Sequence, residues 1–187
     1  VIRLPRAIRL DPSDTLVFRR AAEPGEWLVT GSFLFDPAQV EALDAKGRVA
    51  FRSGFLGVSS FGWSTLAVVT EASEAERESA VAQLAAQLIE KLGAPDLAAA
   101  REAAEGEIAF AASLCDHPAQ TLLALHRNLE DGEIRERFRM LTPRASHDTE
   151  GFRAFEFIEV EGEDGPAEEV DLLNLGKTQE LRKTGAS

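Results

Sequence analysis

Apolar residues recur every three or four positions between Ser73 and Cys115, and every second position between Thr121 and Thr142. The first spacing is that of amphipathic helices, the second that of strands with one buried face. Ser73 with Glu76 is a capping-box pair, so a helix should start there with Val81, Leu84, Ala85, Leu88 and Leu92 on its inner face. Gly93 supplies a left-handed stop, and Pro95 should open a second helix with the stripe Leu97, Ala100, Ala104, Ile108, Ala111 and Cys115. Pro118 bars its continuation. Asp131-Gly132 then divides two β-rich runs and fits a type I′ hairpin loop, which needs positive φ at both positions. That loop pairs Leu129 with Ile134, Arg127 with Glu136, Leu125 with Phe138 and Leu123 with Met140 on one face. The other face pairs Asn128 with Arg135, His126 with Arg137 and Ala124 with Arg139. A slip of one residue would exchange the faces, which argues for this register.

Upstream, residues 3–10 read as a strand that Pro5 confines to an edge, and residues 11–14 as a turn. Strands are expected at 15–20 and 27–35 around the turn Glu23-Pro24-Gly25-Glu26, with Trp27, Val29, Phe33 and Phe35 on one face. Asp36-Pro37 starts a short helix to about Leu43, and residues 46–51 fit helix or extended chain equally. Residues 53–65 carry Gly54, Gly57 and Gly62 among aromatics, the mark of a loop or bulge with close backbone approach, and residues 66–70 form a strand. Beyond the hairpin, a polar connection at 143–151 precedes a strand at 155–160, a turn at 162–166 and a return at 170–175, all acid-rich. Strands, then helices, then strands make an α+β fold, a mainly antiparallel sheet with two consecutive helices on one face. The expected division is one domain over residues 1–175 and a flexible polar tail over 176–187.

With 187 residues, 44% hydrophobic and 28% charged, the chain can bury a core without staples. No apolar run approaches the roughly 20 residues that span a bilayer. No stretch reads as a signal peptide, although the chain opens at Val1, as a trimmed chain would. The single Cys excludes an internal disulfide framework and suits a reducing compartment, so the cytoplasm is expected. A net charge of −12 repels nucleic acid and anionic membranes, and neither is expected as a partner.

Against that charge, Arg135, Arg137 and Arg139 stand at period two on one hairpin face, beside Asn128 and His126. Three guanidiniums in a row could take a carboxylate or phosphate, each offering a rigid fork of donors. The competing reading is a solvated sheet face whose arginines pair with nearby acids. The glycine-rich loop is no phosphate loop, since Gly62 is followed by Trp63 where a Lys is needed, and its serines lack nucleophile-elbow spacing. Ser59, Ser60 and Trp63 could still line a pocket. Cys115-Asp116-His117 fans apart at a helix end and forms no metal set, and Cys115 reads as a small buried hydrophobe. Glu102, Glu105 and Glu107 read as a solvated helix face.

The run Ile8-Arg9-Leu10-Asp11-Pro12-Ser13-Asp14-Thr15, followed by Ala21-Ala22-Glu23-Pro24-Gly25-Glu26-Trp27, resembles a small uncharacterised family of bacterial proteins. The similarity continues through Phe55-Leu56-Gly57, Phe61-Gly62 and the Ser73 helix. It brings no activity or catalytic residue to carry over; it implies association with molybdenum-enzyme gene sets and hence an accessory role. No molybdopterin or iron–sulfur ligand pattern is visible, and no cofactor or metal is expected. The expectation is therefore a non-enzymatic accessory or interaction protein that meets a protein partner or small anion through Arg135, Arg137, Arg139, Asn128, His126 and Trp63. The alternative is a small-molecule enzyme with a pocket between the Gly54–Gly62 loop and the hairpin. There His126 would act as acid or base, assisted by Ser59, Ser60 or Arg137.

Overall fold

The structure, a computed structural model, describes residues 1–141. The elements expected from residue 143 onward, with the acidic portion and the tail, lie outside the described residues.

Positive φ at Asp131 (52°) and Gly132 (78°) closes the hairpin of β6 (Leu122–Glu130) and β7 (Glu133–Leu141). Every cross-strand pair expected from the sequence is present, from Leu129 opposite Ile134 to Leu123 opposite Met140. This hairpin belongs to a four-stranded antiparallel sheet ordered β1-β5-β6-β7, with β1 at Ile2–Ile8 and β5 at Leu66–Ala72. Pro5 lies on the edge strand, where its missing donor is tolerated. β5 pairs with β6 only from Leu122 to Ala124, so the distal half of the hairpin runs past the end of β5.

Helices α3 (Glu74–Leu92) and α4 (Leu97–Ser113) form an antiparallel pair. The Ser73–Glu76 capping box is formed, and Gly93 closes α3 at φ 66°. The second start differs from the expectation. Asp96, not Pro95, caps α4, because its carboxylate can accept from the free Ala99 N–H at 2.8 Å. Ala80, Val81, Leu84, Ala85 and Leu88 of α3 and Ala100, Ala104, Ile108 and Ala111 of α4 are buried with Leu4, Val29, Leu56 and Val58. Full burial of a side chain such as Leu84 or Ile108 contributes about 1.5–3 kcal/mol. A second cluster joins Ala67, Val69, Phe55, Cys115, Leu123 and Leu125, flanked by Phe138 and Met140. Phe110 of α4 meets Phe138 edge-on at 6.3 Å, so the apolar hairpin face does take a helix.

The N-terminal half departs further. Residues 15–20 are not a strand: α1 (Ser13–Val17) begins where Asp11 accepts from the Ser13 N–H, and buried Asp14 accepts from both the N–H and hydroxyl of Thr65. The strand expected at 27–35 shrinks to β2 (Leu28–Val29), because Gly31 at φ 78° diverts the chain into a 3₁₀ turn, Ser32–Leu34. A second 3₁₀ turn follows at Pro37–Ala42, and the undecided stretch becomes α2 (Ala45–Ser53), capped by Asp44 on the Gly47 N–H. β2 pairs with β3 (Phe55–Gly57), and β3 with β4 (Trp63–Ser64), in a small second sheet. Close backbone approach is realised at Gly62, where any Cβ would run into the Ala21 carbonyl. Among the described residues no helix is long and apolar enough to cross a membrane.

Candidate functional site

Where β6 outruns β5, α2 packs along it, and one side chain of β6 holds it there. Arg127 is 1% exposed, the largest fully buried side chain among the described residues. Its Nη1 donates to the carbonyls of Ala50 (3.3 Å), Phe51 (3.0 Å) and Gly54 (2.9 Å) at the C-terminal end of α2. The Ala50 carbonyl also accepts from the Gly54 N–H, whereas helix ends leave the carbonyls after it without intrahelical donors, and a cation there also meets the negative end of the helix dipole. Nη2 donates to the Thr30 carbonyl, and Nε to Ser32 Oγ (2.7 Å) and Glu136 Oε1 (3.0 Å). The Phe35 ring lies 5.4 Å from the guanidinium carbon. Burial pulls the Arg127 pKa below the ordinary arginine value, and Glu136 opposes the shift by pairing with the charge.

With α2 held in this way, Arg48 and Arg52, one turn apart, line an open cleft of about 460 Å³ shared with His126, Asn128 and Leu129 of β6. Val40, Glu41 and Phe51 complete the wall. Arg48 is steadied by the Glu41 carbonyl at 3.3 Å. Cross-strand pairing sets Arg137 beside His126 and Arg135 beside Asn128, so the cationic row of β7 neighbours two residues of the cleft lining. Arg137 and Arg135 reach Glu130 and Glu133, each at 3.3 Å, through side chains more than half exposed. Exposed pairs of this kind hold little energy and exchange readily for another anion. The Asn128 amide nitrogen donates to Glu130 Oε1 at 2.6 Å, which leaves its buried carbonyl oxygen without a donor. Arg139, opposite Ala124, extends the cationic row toward the main sheet.

The remaining candidates lie elsewhere. Ser60 gives both its N–H and its hydroxyl to Glu26, Ser59 gives its N–H to the same carboxylate, and the Ser59 carbonyl accepts from Gln87 of α3. These contacts secure the β3–β4 loop. The Trp63 ring stacks on Phe35 at 5.4 Å and fills the space over Gly31 and Gly54. His126 is exposed and concave-set, but in the α2 cleft. Cys115 is 1% exposed, and burial pushes its thiol up to about 12 against a small opposing effect of Arg3. Among the described residues no three His, Cys, Asp or Glu side chains are grouped as metal ligands would be.

A model of a family of unknown function, DUF6505, matches residues 2–153. The chain belongs to that family. The match spans every described element, so the DUF6505 region includes the cleft, Arg127 and both sheets. No curated protein and no solved structure matches the chain.

Arg48 and Arg52 were not singled out from the sequence, and neither was the role of Arg127. The first two stand four apart, a helical neighbour spacing that carries meaning only once residues 45–53 are known to be helix. Arg127 showed a visible signal, a cation on the apolar face of the hairpin opposite an acid.

Proposed function

We propose that this DUF6505 protein works by binding, and that the cleft between α2 and the β6–β7 hairpin receives an acidic segment of a protein partner. One observation carries the reading: two elements distant in sequence bring Arg48 and Arg52 into one concavity with His126 and Asn128, whose cross-strand neighbours are Arg137 and Arg135, in a chain of net charge −12. A concentration of cations that runs against the overall charge is where an anionic group gains most from direct contact. Guanidiniums suit a carboxylate because two parallel N–H groups can meet its two oxygens. The role is that of an accessory protein in the cytoplasm, consistent with the single cysteine. The resemblance adds a molybdenum-type enzyme as the client.

The test is fluorescence anisotropy with labelled hexaglutamate on the full chain. Charge reversal at two positions, Arg48→Glu with Arg137→Glu, should weaken binding about tenfold or more, equivalent to about 1.4 kcal/mol. Arg101→Glu, which alters an arginine engaged with Glu78 on the helical pair, should leave affinity within about twofold. Equal affinity of a folded double variant and the parent protein removes the cleft from consideration.

A further inference from the structure

The turn between α3 and α4 leaves a second pocket, of about 310 Å³ and open to solvent, lined by Leu88 and Leu92 of α3, Ala99 and Ala103 of α4, and Phe33 of the first 3₁₀ turn. The lining residues are apolar except for one, Glu107, the sole ionisable residue among them. That carboxyl has no hydrogen-bond or ion-pair partner among the described residues, and the charge nearest in effect is another acid, Glu136. Glu136 is itself paired with Arg127. Burial, then repulsion from Glu136, raises the Glu107 pKa above the ordinary glutamate value. Alanines at 99, 100 and 103 leave room on the α4 side, and Leu92 and Phe33 of the lining are partly exposed.

We propose that this slot binds a small molecule with an apolar body and a primary ammonium group, the body against Leu88, Ala99 and Phe33 and the ammonium on Glu107. An apolar pocket of this size with one polar group sited to orient its guest is the usual form of a small-ligand site. The sign of the guest's charge follows from that group. An anion would add a third negative charge beside Glu107 and Glu136; a neutral guest would leave a half-buried carboxylate unpaired; an ammonium supplies the missing partner. The site is separate from the cationic cleft and does not rest on the function proposed for it.

The experiment is amide-resolved NMR titration of the full chain with three probes of one shape: phenethylamine, 2-phenylethanol and phenylacetate. Phenethylamine should shift the amides of Leu92, Ala99, Ala103 and Glu107 and bind at least tenfold more tightly than the alcohol, with phenylacetate weakest. Glu107→Gln should abolish the amine's advantage over the alcohol, and Ala103→Phe, which fills the slot, should abolish binding of both. The proposal is overturned if none of the probes binds, if the three bind alike, if the shifts map elsewhere, or if Glu107→Gln leaves the amine's advantage intact. Arg48→Glu serves as the control that keeps the two sites distinct and should leave the amine titration unchanged.

Discussion

Arg127 and Glu136 face each other across the β6–β7 ladder, Nε to Oε1 at 3.0 Å, with the arginine side chain wholly buried and the glutamate at 17% exposure. The pair closes a network in which one guanidinium serves four backbone carbonyls and a serine hydroxyl from two other segments, residues 30–32 and 50–54. Arg127→Ala would remove this donor from the Thr30, Phe51 and Gly54 carbonyls and leave Glu136 without its cation. The expected loss is about 3–5 kcal/mol, read as a shift of the urea midpoint. Arg127→Lys should recover only a minor part, since a single ammonium cannot serve acceptors spread around a planar fork. A lysine variant as stable as the parent protein would contradict this account of the network.

Glu107 gives a pH dependence whose sign is fixed by the direction of its shift. Its folded pKa lies above the ordinary 4.5, because burial and Glu136 both favour the neutral acid. The folded state therefore holds the proton more tightly than the unfolded chain. The associated stability is fully present below the ordinary value and is lost as pH rises through the raised one. Glu107→Gln, which keeps the neutral form at every pH, should match the parent protein near pH 4. Near pH 7 it should be the more stable protein, by under about 1 kcal/mol once solvent screening of this half-exposed group is counted. Paired urea melts at the two pH values check the sign.

Two glycines should respond in opposite directions to alanine. At Gly62 a Cβ would lie 2.5 Å from the Ala21 carbonyl oxygen and 2.9 Å from the Ala22 nitrogen, backbone that cannot swing aside. Gly62→Ala should cost about 2–3 kcal/mol. Gly106 lies within α4 with nothing within 4 Å of the added carbon, so Gly106→Ala should stabilise by about 0.5–1 kcal/mol through helix propensity. Thermal melts of the two variants distinguish crowding from propensity.

Cys115 should be inert in the folded protein. With its pKa pushed up to about 12, only about one molecule in ten thousand carries a thiolate at about pH 8, and the sulfur is sealed within the second core cluster. A thiol-specific chromogenic disulfide should label nothing in native buffer and one thiol per chain in denaturant. Prompt labelling of the native protein would show that the α4 end opens.

The parts of this fold that were legible in sequence are those whose local signals agree with their tertiary setting. The hairpin register could be read because Asp131-Gly132 and the alternation of Leu123, Leu125, Ile134 and Phe138 demand the same pairing. The Ser73–Glu76 cap and the Gly93 stop were legible because each is a contact within one turn. Residues 27–35 misled because their alternation fits a strand, while Gly31 at positive φ and the Thr30 carbonyl's bond to Arg127 impose a turn that no local spacing announces. Residues 15–20 misled similarly: Asp14 is committed to Thr65, a partner 51 positions away. At the site, the cationic face of β7 was visible as a periodic row, whereas its completion by Arg48 and Arg52 depends on α2 packing against β6.

The Arg127 network also orders events in time. Ala50, Phe51 and Gly54 precede their donor by 77, 76 and 73 residues, and Thr30 precedes it by 97. During synthesis, therefore, α2 and the first 3₁₀ turn leave the ribosome before this donor exists, the Ala50 carbonyl having only the Gly54 N–H. Contacts of such long sequence separation form late and slow the crossing of the folding barrier. The N-terminal half is thus held as an unfinished part until the hairpin arrives, and the protein locks when its last described strands are in place.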